Sequence, residues 1–236
     1  MPLILPADNK MLLIRNYDLF ANLTETEFND LELEHHFIEA NKGEYIYFEA
    51  RHLNKLFFIK EGYIKIGFID NEGNEVIKEI IQKGEIFGQF TLERNNLNGE
   101  FAQVHKSNVS LCAFTIEKFE KILSQNNRVA LAFTKRVGSK LRKVENRLIN
   151  MLNTDVKTRI LRFLDEMVKS NTSFCSGPTF KMPNFLTHDD IARLIGSSRQ
   201  TVTMAITELT TDGYFKITRK EIIIPNTNRL NVAALV

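Results

Sequence analysis

A chain of 236 residues is long enough for two domains with modest hydrophobic cores, and its 43% hydrophobic and 25% charged residues are ordinary for a globular protein. No apolar run approaches the ~18 residues of a membrane span, no signal peptide is predicted, and Cys112 and Cys175 fit neither a zinc spacing nor a disulfide scaffold. We therefore expect a cytoplasmic protein with no membrane contact, no metal and no other cofactor. The formal net charge of +2 by itself excludes no partner.

The N-terminal half has the pattern of a β-domain. Thr24 and Glu27 have capping-box spacing and predict a short helix within residues 24–38. From about Phe37 to Phe114, short runs rich in Ile, Phe, Tyr and Val alternate with turn signals, and an Asn-Glu-Gly-Asn turn indicates a hairpin. Glycines recur at intervals of eleven residues, at Gly62, Gly73 and Gly84. Regular short strands of this kind indicate a barrel or sandwich, which we assign to residues 1–115.

A long amphipathic helix is predicted over residues 116–152. One apolar stripe follows it at steps of three and four residues: Ala130, Phe133, Val137, Leu141, Val144, Leu148 and Met151. Such a helix packs on its own domain or pairs with a second copy, and we favour pairing because the stripe is longer than a small barrel covers. Lys140 and Arg147 border the stripe and need solvent or carboxylates. Between residues 135 and 162 basic residues outnumber acidic ones, which suits an anionic partner or a solvated helix face.

The last third of the chain, residues 153–236, mixes helical and strand patterns. Residues 155–169 predict another amphipathic helix, and a polar loop with strand character near its end follows. Two strands are predicted at 214–217 and 221–224, around a basic Thr-Arg-Lys turn.

Between that loop and those strands, residues 186–209, LTHDDIARLIGSSRQTVTMAITEL, match a helix–turn–helix position by position. The first helix needs a small residue where the second crosses it, which is Ala192. The turn needs a residue that tolerates positive φ, which is Gly196, and the second helix needs an apolar residue facing the first, which is Val202. The rest of the apolar face comes from Ile191, Leu194 and Ile195.

The start of the second helix presents groups that suit DNA. Ser197 or Ser198 caps it, Arg199 can place two donors on guanine, and Gln200 can pair bidentately with adenine in the major groove. We therefore expect double-stranded DNA as the partner, with base contacts from Arg199, Gln200, Thr203 and Met204. The expected phosphate contacts are Thr187, Ser197, Ser198, Arg219 and Lys220, the last two on a wing. An ordinary helical hairpin with exposed polar residues is the alternative.

Three features in this order resemble the catabolite-activator and fumarate–nitrate-regulator (Crp/Fnr) family of bacterial transcription factors. They are the glycine-punctuated segment 60–90, the long helix, and the helix–turn–helix with its wing, which together cover nearly all residues from about 15 to 230. The resemblance implies an α+β fold with a cyclic-nucleotide-binding-like β-roll (double-stranded β-helix), a dimerisation helix and a winged helix–turn–helix. It also implies a homodimer on a two-fold symmetric DNA site, a small-molecule effector and, for an activator, RNA polymerase as a partner.

The effector cassette of the cyclic-nucleotide members is altered in this chain. In those members a helix begins Gly-Glu, and an Arg followed by Ser or Thr holds the cyclic phosphate about a dozen residues later. Gly88 matches, but Gln89 stands for the Glu, and Glu100 and Phe101 stand for the Arg and the Ser or Thr. Because a carboxylate repels a phosphodiester, we expect an effector other than cyclic AMP. The candidate pocket residues are Gly88, Gln89, Glu100, Phe101 and, near the level of the family's adenine-contacting residues on the dimer helix, Val144.

Other interpretations of the sensor stay open. A shifted alignment would place Arg94 or Lys106 on a cyclic phosphate. The oxygen-sensing branch of the family uses an N-terminal cysteine cluster, whereas the first cysteine here is Cys112. Haem would need an axial ligand such as His35, His36, His52 or His105, and a lone histidine is more often structural. In the recognition helix Met204 replaces a second Arg found in many members, so we expect a different half-site.

A cupin-like, metal-dependent barrel enzyme is the alternative from a different class. Cupins bind metal through His-x-His with a further Glu and His, and no His-x-His occurs in the sequence. GxSxG, Walker and HExxH motifs are absent as well. We therefore predict a DNA-binding regulator and not an enzyme.

Overall fold

The short apolar runs of the N-terminal half form β-strands in the computed structural model, which describes residues 17–21, 23–30, 36–90 and 96–234. The strands are β1 (His36–Ala40), β2 (Tyr45–His52), β3 (Lys55–Ile69), β4 (Glu75–Gln82), β5 (Ile86–Gly88) and β6 (Asn96–Thr115). β6 pairs with β1, β2 and β3, and β3 also pairs with β4 and β5, always antiparallel. The predicted β-domain, hereafter the roll, is therefore confirmed, and its strands are antiparallel.

Of the three glycines at eleven-residue spacing, Gly73 and Gly84 lie in turns between strands, as predicted, whereas Gly62 lies inside β3. Gly62, Gly73 and Gly84 have φ of 89°, 84° and 86°, a conformation that residues with a Cβ rarely adopt. Gly62 also packs closely, since a Cβ there would lie 2.5 Å from a backbone oxygen of β6. In the hairpin between β3 and β4, Asp70 accepts a hydrogen bond from the Asn74 amide at 2.8 Å. The predicted hairpin turn is confirmed.

The short helix near the N terminus is confirmed at its start and ends earlier than predicted. It is α1, Glu25–Asp30. The Thr24 amide donates to Glu27 Oε2 at 2.9 Å and the Glu27 amide donates to Thr24 Oγ1 at 3.2 Å, which is the predicted capping box. Residues 31–35 lie outside the described residues, and the chain is in β1 from His36 onwards.

The single helix predicted over residues 116–152 is in fact two helices. α2 spans Ile116–Gln125 and α3 spans Asn127–Asn153, and Asn126 between them has an extended backbone with φ −138° and ψ 104°. Its amide donates back into α2, while its side-chain oxygen accepts from the amides of residues 128 and 129 at 3.0 and 3.2 Å. One asparagine thus ends α2 and caps α3, because its short polar side chain competes with the helical backbone.

An aromatic core under the roll reaches into α3. Phe58, Phe114 and Phe119 are fully buried. The ring of Phe133, on α3, has its centroid 5.1 Å from that of Phe119 and 6.0 Å from that of Phe90. A side chain buried in this core cannot also face a second copy of the chain. The assignment of Phe133 to a dimer interface is therefore wrong.

The chain divides into two compact units, residues 1–141 and 142–236, with the boundary inside α3. After α3, the second unit contains α4 (Val156–Ser170), β7 (Cys175–Ser176), β8 (Thr179–Pro183), α5 (His188–Ile195), α6 (Arg199–Thr211), β9 (Lys216–Ile217), β10 (Glu221–Ile224) and α7 (Thr227–Ala234). The strands form one antiparallel sheet in the order β7-β8-β10-β9, and α4 packs against α5, α6 and α7. This is the predicted winged helix–turn–helix, and the predicted fold class is confirmed.

Within the described ranges, none of the helices has the length and apolar character needed to cross a membrane.

Candidate nucleic-acid interface

The first helix of the helix–turn–helix, α5, starts at a capping box. Thr187 is the N-cap, and its Oγ1 accepts from the Asp190 amide at 3.1 Å. The amide and hydroxyl of Thr187 in turn donate to Asp190 Oδ2 at 2.8 and 2.7 Å. This reciprocal arrangement fixes the start of α5. Thr187 is exposed, and its contact with a DNA phosphate stays a prediction.

The turn between α5 and α6 depends on Gly196. Its φ of 68° and ψ of 55° are left-handed, and its amide donates to the Ala192 carbonyl. A Cβ at this position would lie 2.5 Å from the terminal methyl of Met151. Arg159 Nη1 donates to the carbonyls of residues 195 and 196 at 2.8 and 3.0 Å. The turn is therefore held by both its conformation and its neighbours, as the predicted role of Gly196 requires.

Ser198 caps the second helix. Its backbone is extended and its side chain accepts from the Thr201 amide at 3.1 Å. Ser197 is half-buried in the turn, where its amide donates to the Ala192 carbonyl at 2.9 Å. Of the two serines that the sequence left open, Ser198 is the cap. The helix that it starts presents the positive end of its dipole, which favours a bound anion such as phosphate.

α6 has one buried face and one exposed face. Its buried face consists of Val202, Ala205, Ile206 and Leu209. On the other face Arg199 and Gln200 are exposed, and Met204 is 59% exposed. A guanidinium, a carboxamide and a thioether are thus exposed near the start of a helix whose opposite face is buried. In a major groove these groups suit guanine, adenine and the thymine methyl respectively.

Thr203, the fourth predicted base contact, is connected to a residue that sequence analysis did not single out. Its Oγ1 donates to the Arg199 carbonyl oxygen at 2.8 Å, and Nδ1 of His188 on α5 lies 3.1 Å from the same Oγ1. Burial, followed by the positive charge of Arg199, lowers the pKa of His188. No motif marks a histidine at the first position of a helix, so only the packing of α5 on α6 reveals it.

The wing is a tight turn between β9 and β10. The Thr218 amide donates to the Glu221 carbonyl at 2.9 Å, and Thr218 Oγ1 accepts from the amides of Lys220 and Glu221 at 3.2 and 3.0 Å. Arg219 and Lys220 are exposed, as contact with phosphate requires. β9 begins at Lys216, two residues later than predicted.

Asn184 fastens the wing to the segment that enters α5. It is buried, its Nδ2 donates to the Thr218 carbonyl at 2.7 Å, and its amide donates to the Lys220 carbonyl at 2.9 Å. Its Oδ1 accepts from the Leu186 amide at 2.8 Å. The local bond to Leu186 has the spacing of an Asx-turn, but Thr218 is 34 residues away, so no sequence signal predicts the contact with the wing.

Two effector candidates of the roll have structural roles within it. Gly88 ends β5 with φ of 104°, and a Cβ there would lie 2.4 Å from the Lys55 carbonyl oxygen. Gln89 is buried, and its amide donates to that same oxygen at 3.0 Å. Backbone conformation and close packing in this chain are therefore sufficient to require a glycine at position 88, whether or not an effector binds.

Glu100 belongs to a hydrogen-bonded group inside the roll, which we call the Tyr47–Glu100–Lys78 cluster. The residue is 9% exposed; its Oε1 accepts from the Tyr47 hydroxyl at 2.7 Å and its Oε2 accepts from Lys78 Nζ at 2.8 Å. Burial, followed by the charge of Glu100, raises the pKa of Tyr47, so the hydroxyl keeps the proton that it donates. Both carboxylate oxygens thus have partners supplied by the roll.

Phe101 follows Glu100 in β6 and packs into the interior of the roll. Phe101 is fully buried, with its ring centroid 5.9 Å from that of Tyr45 and 5.7 Å from Lys65 Nζ. It is therefore a core residue at a position where the family's cassette has a small hydroxyl residue.

The remaining sensor candidates lie elsewhere. Lys106 is exposed at a bend of β6, where its φ is 64°, and Arg94 lies outside the described residues. Val144 is exposed on α3. In the part of the chain that the structure describes, no three His, Cys, Asp or Glu side chains are grouped so that they could hold a metal ion.

Beyond Phe133, the apolar stripe of α3 is exposed to solvent. Ala130 is half-buried, and the exposed members are Val137, Leu141, Val144, Leu148 and Met151. Lys140 reaches the carboxylate of Glu79 at 2.7 Å, as predicted, whereas Arg147 donates to a backbone carbonyl of α5. A row of exposed apolar side chains along one helix marks an interaction surface.

Two family models match the chain: a cyclic nucleotide-binding domain over residues 37–126 and a Crp-like helix-turn-helix domain over residues 158–233. A global nitrogen regulator of Nostoc sp. is 25% identical over 188 residues, covering 79% of this chain and 82% of the relative. A CRP-like cAMP-activated global transcriptional regulator of Mycobacterium tuberculosis is 21% identical over 193 residues, covering 82% and 85%. The solved structure of FixK2 from Bradyrhizobium japonicum has a TM-score of 0.71 at 20% identity, covering 85% of this chain and 98% of that one.

A recognition helix with an exposed start, a wing fastened to the same unit and a preceding β-roll define a DNA-binding transcriptional regulator. The chain belongs to the Crp/Fnr family of transcriptional regulators. The resemblance inferred from the sequence is thereby confirmed.

Proposed function

We propose that the chain acts as a homodimer that binds a two-fold symmetric DNA site and controls transcription from it. Its family and the exposed apolar row on α3 support the dimer. In it, Val137, Leu141, Val144, Leu148 and Met151 meet the same residues of the second copy. The two recognition helices then enter successive major grooves on one side of the duplex. Such a regulator needs no enzymatic activity, works in the cytoplasm and, as an activator, contacts RNA polymerase.

The exposed start of α6 is the observation that carries the DNA-binding assignment. Arg199 reads guanine and Gln200 reads adenine, while Met204 and the methyl group of Thr203 complete the base contacts. The phosphate contacts surround these residues: Thr187, Ser197, Ser198, Arg219 and Lys220. Because Asn184 joins the wing to the entry of α5, the phosphate-binding groups of both elements move as one body with the recognition helix.

We further infer that the roll does not respond to cyclic AMP. A cyclic nucleotide brings a negatively charged phosphodiester, and Glu100 stands where the cyclic-nucleotide members carry the Arg that binds it. Lys78 neutralises this carboxylate and Tyr47 donates to it, so both carboxylate oxygens already have partners within the cluster. The likeness to a relative named as cAMP-activated therefore does not extend to the effector.

Selection of bound duplexes from a random DNA library tests the proposed function. We expect the wild-type protein to enrich a two-fold symmetric sequence, and sedimentation to give the mass of two chains. Val144→Glu should weaken the dimer because it desolvates a charge without a partner, whereas Asn146→Glu, at an exposed position of α3 outside the stripe, should not. A monomer that binds the symmetric site with full affinity would contradict the proposal.

Titration calorimetry with cyclic AMP tests the effector inference separately. We expect no binding heat at millimolar nucleotide. A micromolar dissociation constant would refute the inference, and loss of that binding in Lys106→Ala or Arg94→Ala would identify the phosphate ligand of a shifted cassette.

A further inference from the structure

We propose that His188 is a positioning residue that links the two helices of the DNA-binding motif and makes DNA binding depend on pH. The observation behind the proposal is a hydrogen-bonded path from α5 to α6 through one histidine and one threonine. The proposal rests on the proposed DNA-binding function, and it concerns how the recognition helix is held and how its affinity is tuned.

The two distances at Thr203 fix the direction of each hydrogen bond. Its Oγ1 lies 2.8 Å from the Arg199 carbonyl oxygen, which has no proton, so the hydroxyl donates there. A hydroxyl has only one proton and can therefore only accept at its second contact, 3.1 Å from His188 Nδ1. His188 must carry a proton on Nδ1. The path runs from His188 Nδ1–H through the Thr203 hydroxyl to the backbone of the first turn of α6.

With Nδ1 protonated, Nε2 is the atom at which the ring gains or loses its second proton. The charged group that acts on the ring from α6 is Arg199, and its field adds to burial in favouring the neutral ring. On α5 itself, the carboxylates of Asp189 and Asp190 form hydrogen bonds to Arg193 and to the Thr187 cap. From α4, Arg159 donates to carbonyls at the other end of α5. The pKa of His188 in the free protein is therefore lowered, and the ring is neutral at neutral pH.

DNA reverses the electrostatic balance at this ring. His188 is half-buried at the first position of α5, next to the proposed phosphate contact Thr187 and the proposed base contact Arg199. Phosphates favour the charged ring and offset the field of Arg199, so the pKa of His188 rises on binding and a proton is taken up. Affinity then increases as the pH falls through the pKa of the complex, and the gain is complete below the pKa of the free protein. Above both values the ring is neutral and only positions Thr203.

Long-range proton–nitrogen NMR on the full chain tests the hydrogen-bonded path without DNA. The chain has five histidines, and the ring signals that disappear in His188→Asn belong to His188. We expect the Nδ1–H tautomer at neutral pH, and retention of the other four sets of ring signals shows that the variant is folded. The Nε2–H tautomer would overturn the proposal.

Affinity as a function of pH, at constant ionic strength, tests the functional half on the duplex that the wild-type protein enriches. We expect wild-type affinity to rise as the pH falls, with a slope of at most about tenfold per pH unit for each subunit, the limit for one proton. His188→Asn places an amide donor where Nδ1 lies but cannot titrate, so it should keep the selected sequence and lose the pH dependence. His188→Gln places its amide further out, where Nε2 lies, so it should lose the bond to Thr203 and relax the selected sequence.

The outcomes separate this proposal from the function on which it rests. If wild type enriches a sequence but has the same pH profile as His188→Asn, His188 does not tune affinity and the proposal fails alone. If His188→Gln, shown to be folded by its thermal midpoint, selects the wild-type sequence, the positioning role fails. A wild-type protein that enriches no sequence overturns the proposed function together with the pH dependence.

Discussion

The roll and the DNA-binding unit place polar side chains in opposite ways. In the roll, the Glu100 carboxylate points inward and accepts from Tyr47 and Lys78, which are parts of the same β-structure. In the DNA-binding unit, Arg199 and Gln200 point outward from a helix whose other face is buried. The Glu100 carboxylate is therefore buried, whereas the Arg199 and Gln200 side chains are exposed.

This contrast shows what a substitution at a binding position means. A buried polar group that has partners within the protein stabilises the fold, and removing one partner leaves the other unsatisfied. An exposed polar group on a rigid scaffold adds little to stability and remains available for a ligand. In the roll, Glu100 is therefore held by partners from the same β-structure, whereas Arg199 and Gln200 of the helix–turn–helix remain exposed.

Phe101→Ala should have the largest effect, and the effect should be on the stability of the roll. Phe101 is fully buried and packs tightly against Gly67, where a Cβ would lie only 3.0 Å from its ring, so its truncation leaves a cavity in the roll. We expect a loss of about 3–5 kcal/mol in the free energy of unfolding, measured with denaturant. Phe48→Ala is the matched control, because the Phe48 ring is half exposed and should cost much less. Equal losses for the two variants would contradict a core role for Phe101.

Arg199→Ala should have the opposite profile, with a large effect on DNA and a small one on stability. We expect a loss of about 1–3 kcal/mol in binding free energy per half-site and relaxed preference at one G·C pair, because the bidentate hydrogen bonds to guanine are removed. The free energy of unfolding should change by no more than about 0.5 kcal/mol, since the side chain is exposed. Binding-site selection with the variant measures the first quantity, and an unchanged selected sequence would show that Arg199 does not read a base.

The helix–turn–helix was predictable because its constraints are local. A small residue at Ala192, a glycine at Gly196 and an apolar residue at Val202 are read from spacing alone, and the structure confirms all three. The winged fold followed from the strand patterns downstream. Residues that join distant segments were not predictable, since the bond between Asn184 and Thr218 and the contact between His188 and Thr203 leave no local pattern.

The long helix shows two limits of periodicity. An apolar stripe indicates which face of a helix is buried but not against what, so Phe133 was assigned to a second copy although it packs in the core under the roll. The stripe begins at Ala130, beyond Asn126, so it carries no information on the break there, which the capping side chain of Asn126 produces. Both errors lie where tertiary packing or a single side chain overrides the pattern.

Asn184→Ala should weaken stability and DNA binding together. The substitution leaves the Thr218 carbonyl and the Leu186 amide without their side-chain partner, and we expect a loss of about 1–3 kcal/mol in the free energy of unfolding. DNA affinity should fall for all sequences alike, because the wing is no longer fastened beside α5. Thermal unfolding and binding to specific and unrelated duplexes measure the two effects. A variant that is destabilised but binds both duplexes as wild type does would remove Asn184 from the interface.

Lys220→Ala should have a smaller effect that is independent of sequence. Lys220 is exposed on the wing, and a lysine that contacts phosphate releases a counterion when DNA binds. We expect the slope of log affinity against log salt to fall by about one for each phosphate that the variant no longer binds, with no change in the selected sequence. Lys216→Ala, at an exposed position of β9 outside the turn, is the control. A changed sequence preference would mean that the wing reads bases.

The smallest effect should come from a single methyl group on the DNA. Thr203 and Thr207 donate their hydroxyls to carbonyls four residues earlier, at 2.8 and 2.9 Å, so these protons are not available to bases, and Met204 is exposed beside them. The middle of α6 therefore offers an apolar surface that suits a thymine methyl. Replacing one thymine of the selected half-site by uracil should cost about 0.8 kcal/mol at the position that Met204 contacts, the value of one buried methyl group. The difference in affinity between thymine and uracil duplexes should vanish in Met204→Ala. In Met204→Arg the preferred base at this position should change to guanine. If wild type binds thymine and uracil duplexes equally at every position, Met204 makes no methyl contact and the polar start of α6 alone reads the site.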